Sequence, residues 1–174
     1  MVIHSLEQIK NLKSQLYLSA EQAILKIRLC EEQNSALGLL AHMKFGELGV
    51  HPLEGRDLNL IEQLNQLFSN LVVIEAADYL LHLYPEKSFV LHLGTESGFD
   101  IESSDGEIAA ECFAVTRVSS NRKLIKDAEK LLKNADGKKK YIFFYSHTDS
   151  AETVEKSYIK FPDITFHRIM NLVP

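Results

Sequence analysis

The sequence predicts an α+β protein, a three-layer α/β core with a helical N-terminal extension, and three observations carry that prediction. Apolar residues recur at helical spacing through two long stretches of the first half, 5–33 and 57–83. Three short β-rich runs follow, 88–93, 99–102 and 107–116, separated by the turn signals Gly94–Gly98 and Ser103–Gly106. An amphipathic stretch over 120–134 then leads into Tyr141-Ile-Phe-Phe-Tyr145, a run apolar on both faces and so expected at the centre of a sheet.

Taken in order, 5–33 reads as helix in two pieces. Leu6, Ile9, Leu12 and Leu16 form one stripe, and Ser19 followed by Gln22 resembles a capping box that restarts the helix through Ala23, Ile24 and Ile27. Ala36 to Phe45 makes a short helix, and Gly46, Gly49, Pro52 and Gly55 mark a loop. Asp57 is placed to cap a long helix ending before Pro85, with Leu60, Ile61, Leu64, Leu67, Phe68 and Leu71 as its core stripe and a bend at Ser69-Asn70. Glu75 and Asp78 continue that line, either inward or wet, and Glu75 is the one kept as a candidate ligand.

In the second half, Asp105-Gly106 is a strong short-range hairpin signal. Ser119 or Ser120 is expected to cap the helix to about Asn134, with Leu124, Ala128, Leu131 and Leu132 on one face and Lys123, Lys126, Lys130 and Lys133 exposed on the next. A short helix over 150–156 and an edge strand over 164–170 complete the chain. With no repeat or linker composition, the 174 residues are expected to form one domain, divided as an extension (1–56), a core (57–146) and an addition (147–174).

A hydrophobic fraction of 45% with 25% charged residues fits a soluble globular chain. No basic-then-apolar leader and no membrane-length apolar run is seen, so the expected location is cytoplasmic. Cys30 and Cys112 stand alone and are expected as buried free thiols, and His42 and His51 lack partners at metal-site spacing. The net charge is −5, yet Arg117 to Lys140 carries nine basic residues against three acidic ones. A solvated helix exterior explains such a run, and so does a face that meets phosphates.

The candidate chemistry lies in Asp100, Glu102 and Glu111, acids on neighbouring members of the hairpin set. Carboxylate oxygens are hard ligands for Mg²⁺, and two acids on adjacent strands can converge on one ion. Asp100 and Glu102 share a strand face, which makes Glu102 a spare third ligand. Acids beside turns are also the ordinary polar face of a hairpin, but Glu111 sits between Ile108-Ala-Ala and Cys112-Phe-Ala-Val, where a lone carboxylate would be costly. No GxSxG elbow, glycine-rich phosphate loop or HExxH helix competes with this site.

The order helix, three antiparallel strands, helix, strand from Asp57 to Tyr145, with Gly98-Phe-Asp-Ile-Glu102 and Ala110-Glu111-Cys-Phe-Ala114, resembles the PD-(D/E)XK, or restriction-endonuclease-like, nuclease superfamily. The resemblance implies an αβββαβ core, Mg²⁺ or Mn²⁺ held by Asp100 and Glu111, and DNA as the partner. It also implies a lysine two residues after Glu111, where this chain has Phe113. Lys123 or Lys126 on the next helix, with Arg122 as another choice, is then the expected replacement; otherwise the chain is an inactive relative that binds DNA or protein. Arg117, Arg122, Lys130 and Lys133 are the expected phosphate contacts. Self-association through the helical N-terminal third, giving a homodimer, is the reading unrelated to that family.

Overall fold

The computed structural model describes residues 1–94, 98–119, 122–148 and 160–172. It is a mixed α+β chain whose contacts divide into two compact units, Glu7–Leu71 and Met1–Leu6 with Val72–Pro174.

The first unit is mostly helical. Helix α1 runs unbroken over Leu6–Glu31. The expected restart at Ser19 does not occur, because the buried Ser19 hydroxyl donates back to Leu16 O at 2.9 Å and is absorbed into the helix instead of capping a new one. Helix α2, Ala36–Phe45, starts at Ser35, whose side chain accepts from Gly38 N. Part of the expected loop is a small hairpin, β2 (Gly49–Val50) paired with β3 (Asp57–Leu58). Only glycine fits at 49, since a Cβ there would lie 2.6 Å from Asn59 O. Asp57 therefore belongs to β3 and does not cap the next helix. Asn59 does, its Oδ1 accepting from Glu62 N at 2.9 Å.

Helix α3, Leu60–Leu83, is continuous through Ser69-Asn70. Of its six expected core residues, Leu67 and Leu71 are buried, Leu60 is half-buried, and Ile61, Leu64 and Phe68 are exposed. The inward face turns instead on Gln63, which is buried, accepts from Val50 N at 3.0 Å and donates to Ser19 O at 3.0 Å. Two backbone bonds satisfy that amide, so a polar residue takes a position that periodicity assigns to a leucine.

The second unit holds the sheet. Its strand order is β1 (Val2–Ile3), β4 (Phe89–Leu91), β5 (Ile101–Ser103), β6 (Ile108–Val115), β7 (Lys139–Ser146) and β8 (Ile164–Arg168). The pairs from β1 to β6 are antiparallel, and β6–β7–β8 are parallel. Helix α4, Lys123–Asn134, makes the crossover between β6 and β7 that parallel pairing requires.

Leu124, Ala128, Leu131 and Ala135 pack on Ala109, Phe113, Ile142 and Phe144 of the sheet. Each fully buried Leu or Phe side chain is worth about 1.5–3 kcal/mol. On the opposite face, Tyr79 of α3 meets Phe143 edge-on with centroids 5.6 Å apart, giving the layers helix, sheet, helix. The expected Asp105-Gly106 turn is present, with Gly106 at φ 76°. Helix α4 begins at Lys123, its N-cap position falls on Arg122 with no side-chain cap bond, and neither expected serine is that residue. The expected helix over 150–156 lies outside the described residues. Among the described residues no helix is long and apolar enough to cross a membrane.

Candidate active site

The site is built by strand register. Ile101 pairs with Ala110 and Glu102 with Ala109, so one further step sets Asp100 opposite Glu111 on the same face. Asp100 sits in the bend just before β5, not within a strand starting at Phe99. Its Oδ2 accepts from Cys112 N at 2.6 Å, which ties the bend to β6. Along β6, Ala109, Glu111 and Phe113 alternate onto the face that α4 covers, and Glu111 is only 2% exposed.

Helix α4 supplies the countercharges. Lys123, Asp127 and Lys130, at i, i+4 and i+7, form a polar line beside the apolar stripe. Lys130 Nζ lies 2.6 Å from Glu111 Oε1 and donates to Gly98 O at 2.5 Å. The contact with Glu111 is a close ion pair that holds the carboxylate from the α4 side. Lys123 Nζ donates to Asp127 Oδ1 at 2.7 Å. Asp127 is buried, and its second oxygen, Oδ2, has no hydrogen-bond partner among the described residues.

Three carboxyls brought together in a dry place resist ionisation. Burial, then the charge of Asp100, pushes Glu111 up to about 7, with Lys130 pulling the other way. Burial likewise raises Asp100 against the Cys112 N–H and the lysines, and raises Asp127 against its bond to Lys123. Burial by itself would lower Lys123, but the bond to Asp127 and the surrounding carboxylates outweigh it and leave Lys123 raised. Of the two cysteines expected to be buried, Cys30 is only half-buried, while Cys112 is buried and its thiol is pushed well up by that burial, which makes it inert as a nucleophile.

Asp100 and Glu111 thus stand opposite each other on one face, and Lys123, bonded to Asp127, is near enough for both their charges to act on it. Lys126 does not join them and is exposed, because it points off the opposite side of the line that carries Lys123 and Lys130. Lys130, expected in an exposed phosphate-binding stripe, has its ammonium in the site instead. Arg117, Arg122 and Lys133 are exposed. Glu102 pairs with Lys138 at 2.8 Å and is occupied there as a partner. Glu75 is half-buried on α3 and is not among the charges that act most strongly on Asp100 or Glu111. Phe113, at the expected lysine position, stacks on Phe144 with centroids 5.6 Å apart. His51 Nδ1 accepts from Leu53 N and Glu54 N and organises a turn.

Sequence reasoning missed Asp127. The available signal was its place beside Leu124, Ala128 and Leu131, four residues after one lysine and three before another.

Among the described residues, no three His, Cys, Asp or Glu side chains are arranged to hold a metal ion. Mg²⁺ does not need three, since it is commonly held by one or two carboxylates with waters and substrate phosphate completing the octahedron. Asp100 and Glu111, two carboxylates on one face, are the number that mode uses, with the Lys130 ammonium already 2.6 Å from Glu111 Oε1. No protein-family model matches this chain, and no match was found among curated proteins or solved structures.

Proposed function

We propose that this chain is a metal-dependent phosphodiesterase acting on DNA, built on a PD-(D/E)XK core in which Lys130 of α4 replaces the lysine missing from β6. The observation that carries the reading is the Lys130 ammonium 2.6 Å from Glu111, on the strand face that Asp100 shares. Support for the core comes from the antiparallel β4–β5–β6 set followed by α4 and a parallel β7.

In this reading Asp100 and Glu111 hold Mg²⁺ or Mn²⁺, which when bound supplies a Lewis acid and a more acidic water. Lys130 orients that water and offsets charge on the phosphate, and the Phe113–Phe144 stack keeps bulk water from the inner side. The exposed Arg117, Arg122, Lys126 and Lys133 meet backbone phosphates, so DNA affinity falls with salt. The second reading is an inactive DNA-binding relative, favoured by the near-complete burial of Glu111.

The test is Mn²⁺-dependent cleavage of plasmid and single-stranded DNA, together with the thermal midpoint with and without metal. Metal should raise the midpoint of the natural chain by mass action, and Asp100→Ala should abolish both that rise and cleavage. Lys130→Met should keep the metal response and lower kcat by about 10²-fold or more, while Lys126→Met should leave kcat unchanged. Cleavage that survives both Asp100→Ala and Glu111→Ala overturns the site. A metal response without cleavage selects the inactive relative.

A further inference from the structure

We infer that Asp127 is a positioning residue of this centre, holding the Lys123 ammonium toward Asp100 so that a second cation, beside Lys130, faces the scissile phosphate. The inference rests on the phosphodiesterase reading and names a residue that the sequence motif does not contain.

Three observations carry it. First, Asp127 lies on the buried side of α4, 4% exposed, among Leu124, Ala128 and Leu131. An i, i+4 pair with a lysine forms as readily on the wet side of a helix, and replacing a buried ion pair by packed apolar groups is often neutral or stabilising. Stability alone therefore gives no reason for an aspartate here.

Second, the partner is asymmetric: Asp127 is sealed, whereas the Lys123 side chain is 42% exposed. A sealed acid thus fixes the base of an ammonium that solvent, and hence a substrate phosphate, can reach. Third, Asp127 Oδ2 is buried with no hydrogen-bond partner among the described residues, an incompletely compensated acceptor of the kind retained where charge is used.

The charge balance points the same way. With all groups ionised, Asp100, Glu111 and Asp127 against Lys123 and Lys130 leave one net negative charge. A divalent cation turns this to one net positive charge, the complement of a single phosphodiester. Without Asp127 the loaded site would carry two net positive charges and would match the near-dianionic phosphomonoester that cleavage leaves better than the singly charged phosphodiester.

The experiment compares the natural chain with Asp127→Asn, Asp127→Glu and Lys123→Met. Steady-state cleavage of a defined oligonucleotide with Mn²⁺ gives kcat and KM. Acetylation of Lys123 by an N-hydroxysuccinimide ester, followed by mass spectrometry, reports the ammonium without turnover, and exposed Lys126 serves as the internal control. Asp127→Asn should lower kcat by about tenfold or more with KM little changed, and should speed Lys123 acetylation severalfold while Lys126 is unaffected. Asp127→Glu should recover part of both. Lys123→Met should reproduce the kcat loss from the exposed end of the pair, which covers the case in which Asp127→Asn does not fold. Unchanged kcat in Asp127→Asn or Lys123→Met, or unchanged Lys123 acetylation, overturns the inference. A natural chain that does not cleave overturns the functional reading instead, and the acetylation rates then decide the Asp127–Lys123 contact on their own.

Discussion

In the unit Glu7–Leu71 the buried polar side chains are Ser19, Gln63 and Asn70, all neutral, with Gln63 bonded through both ends of its amide, while the sheet-bearing unit buries the acids Glu111 and Asp127 against lysines of α4. Exposure runs the other way. Helix α2 buries none of its residues and leaves Leu37, Leu40 and Phe45 open, whereas β7 seals Ile142, Phe143 and Phe144 completely. Among the described residues each unit buries an oxygen without a hydrogen-bond partner, the neutral amide Gln66 Oε1 in the first and the carboxylate Asp127 Oδ2 in the second, so what separates the two is that the second buries charge. Buried charge is expensive even when paired, so the gathering of Glu111 and Asp127 with Lys130 and Lys123 between one sheet face and α4 is the place in this chain where a stability cost is concentrated.

The largest effect that tests this contrast is on packing. Phe143→Ala should lower the unfolding free energy by about 3–5 kcal/mol, since Phe143 is fully buried between aromatic neighbours. Phe45→Ala should change it by no more than about 0.5 kcal/mol, since Phe45 is 78% exposed. Urea denaturation followed by circular dichroism reads both, and comparable losses would break the comparison.

A smaller effect concerns the charges. Because Glu111 is raised to about 7 by burial first and by Asp100 next, the folded chain holds that proton more tightly than the unfolded chain does. The resulting stability is fully present below the unfolded carboxyl value of about 4.3 and is lost as pH rises through about 7. Glu111→Gln removes the penalty, so in chelator it should stabilise the chain by up to about 3 kcal/mol at pH 8 and hardly at all at pH 4. A gain of the same size at both pH values would show that packing, not ionisation, is what changed.

Much of this contrast could be read in the sequence, because its signals are local. Asp105-Gly106 fixes a hairpin, the hairpin fixes the register, and the register brings Asp100 to Glu111. Spacing also found the apolar stripe of α4. It could not say which lysines beside that stripe turn in, because a lysine stem reaches either solvent or an adjacent acid, and Lys130 takes the second course while Lys126 takes the first. Asp127 was hidden for a related reason, since an acid four residues after a lysine reads as a wet ion pair. In the other unit, Ser19 misled because it bonds back into its own helix, and Gln63 went unnoticed because its bonds run across to other elements, which no periodicity encodes. The β2–β3 hairpin was too short, at two residues a strand, to alternate visibly.

The smallest effect lies at the start of α4. Helix α2 has Ser35 and α3 has Asn59 accepting from its first turn, but α4 begins on Arg122 with φ 54° and no side-chain cap bond. The left-handed region costs a residue with a Cβ about 1 kcal/mol, and asparagine tolerates it better than arginine. Arg122→Asn should therefore raise stability by about 0.5–1 kcal/mol in urea titration. The same change removes a proposed phosphate contact, so DNA affinity should fall and the slope of log affinity against log salt should drop by about one. The opposite signs are the point of the experiment. An arginine with φ 54° and no cap bond at the start of α4 is costly to the fold and, as a proposed phosphate contact, would be useful to binding, and a variant that gains stability with no loss of affinity would leave Arg122 outside the DNA-facing surface.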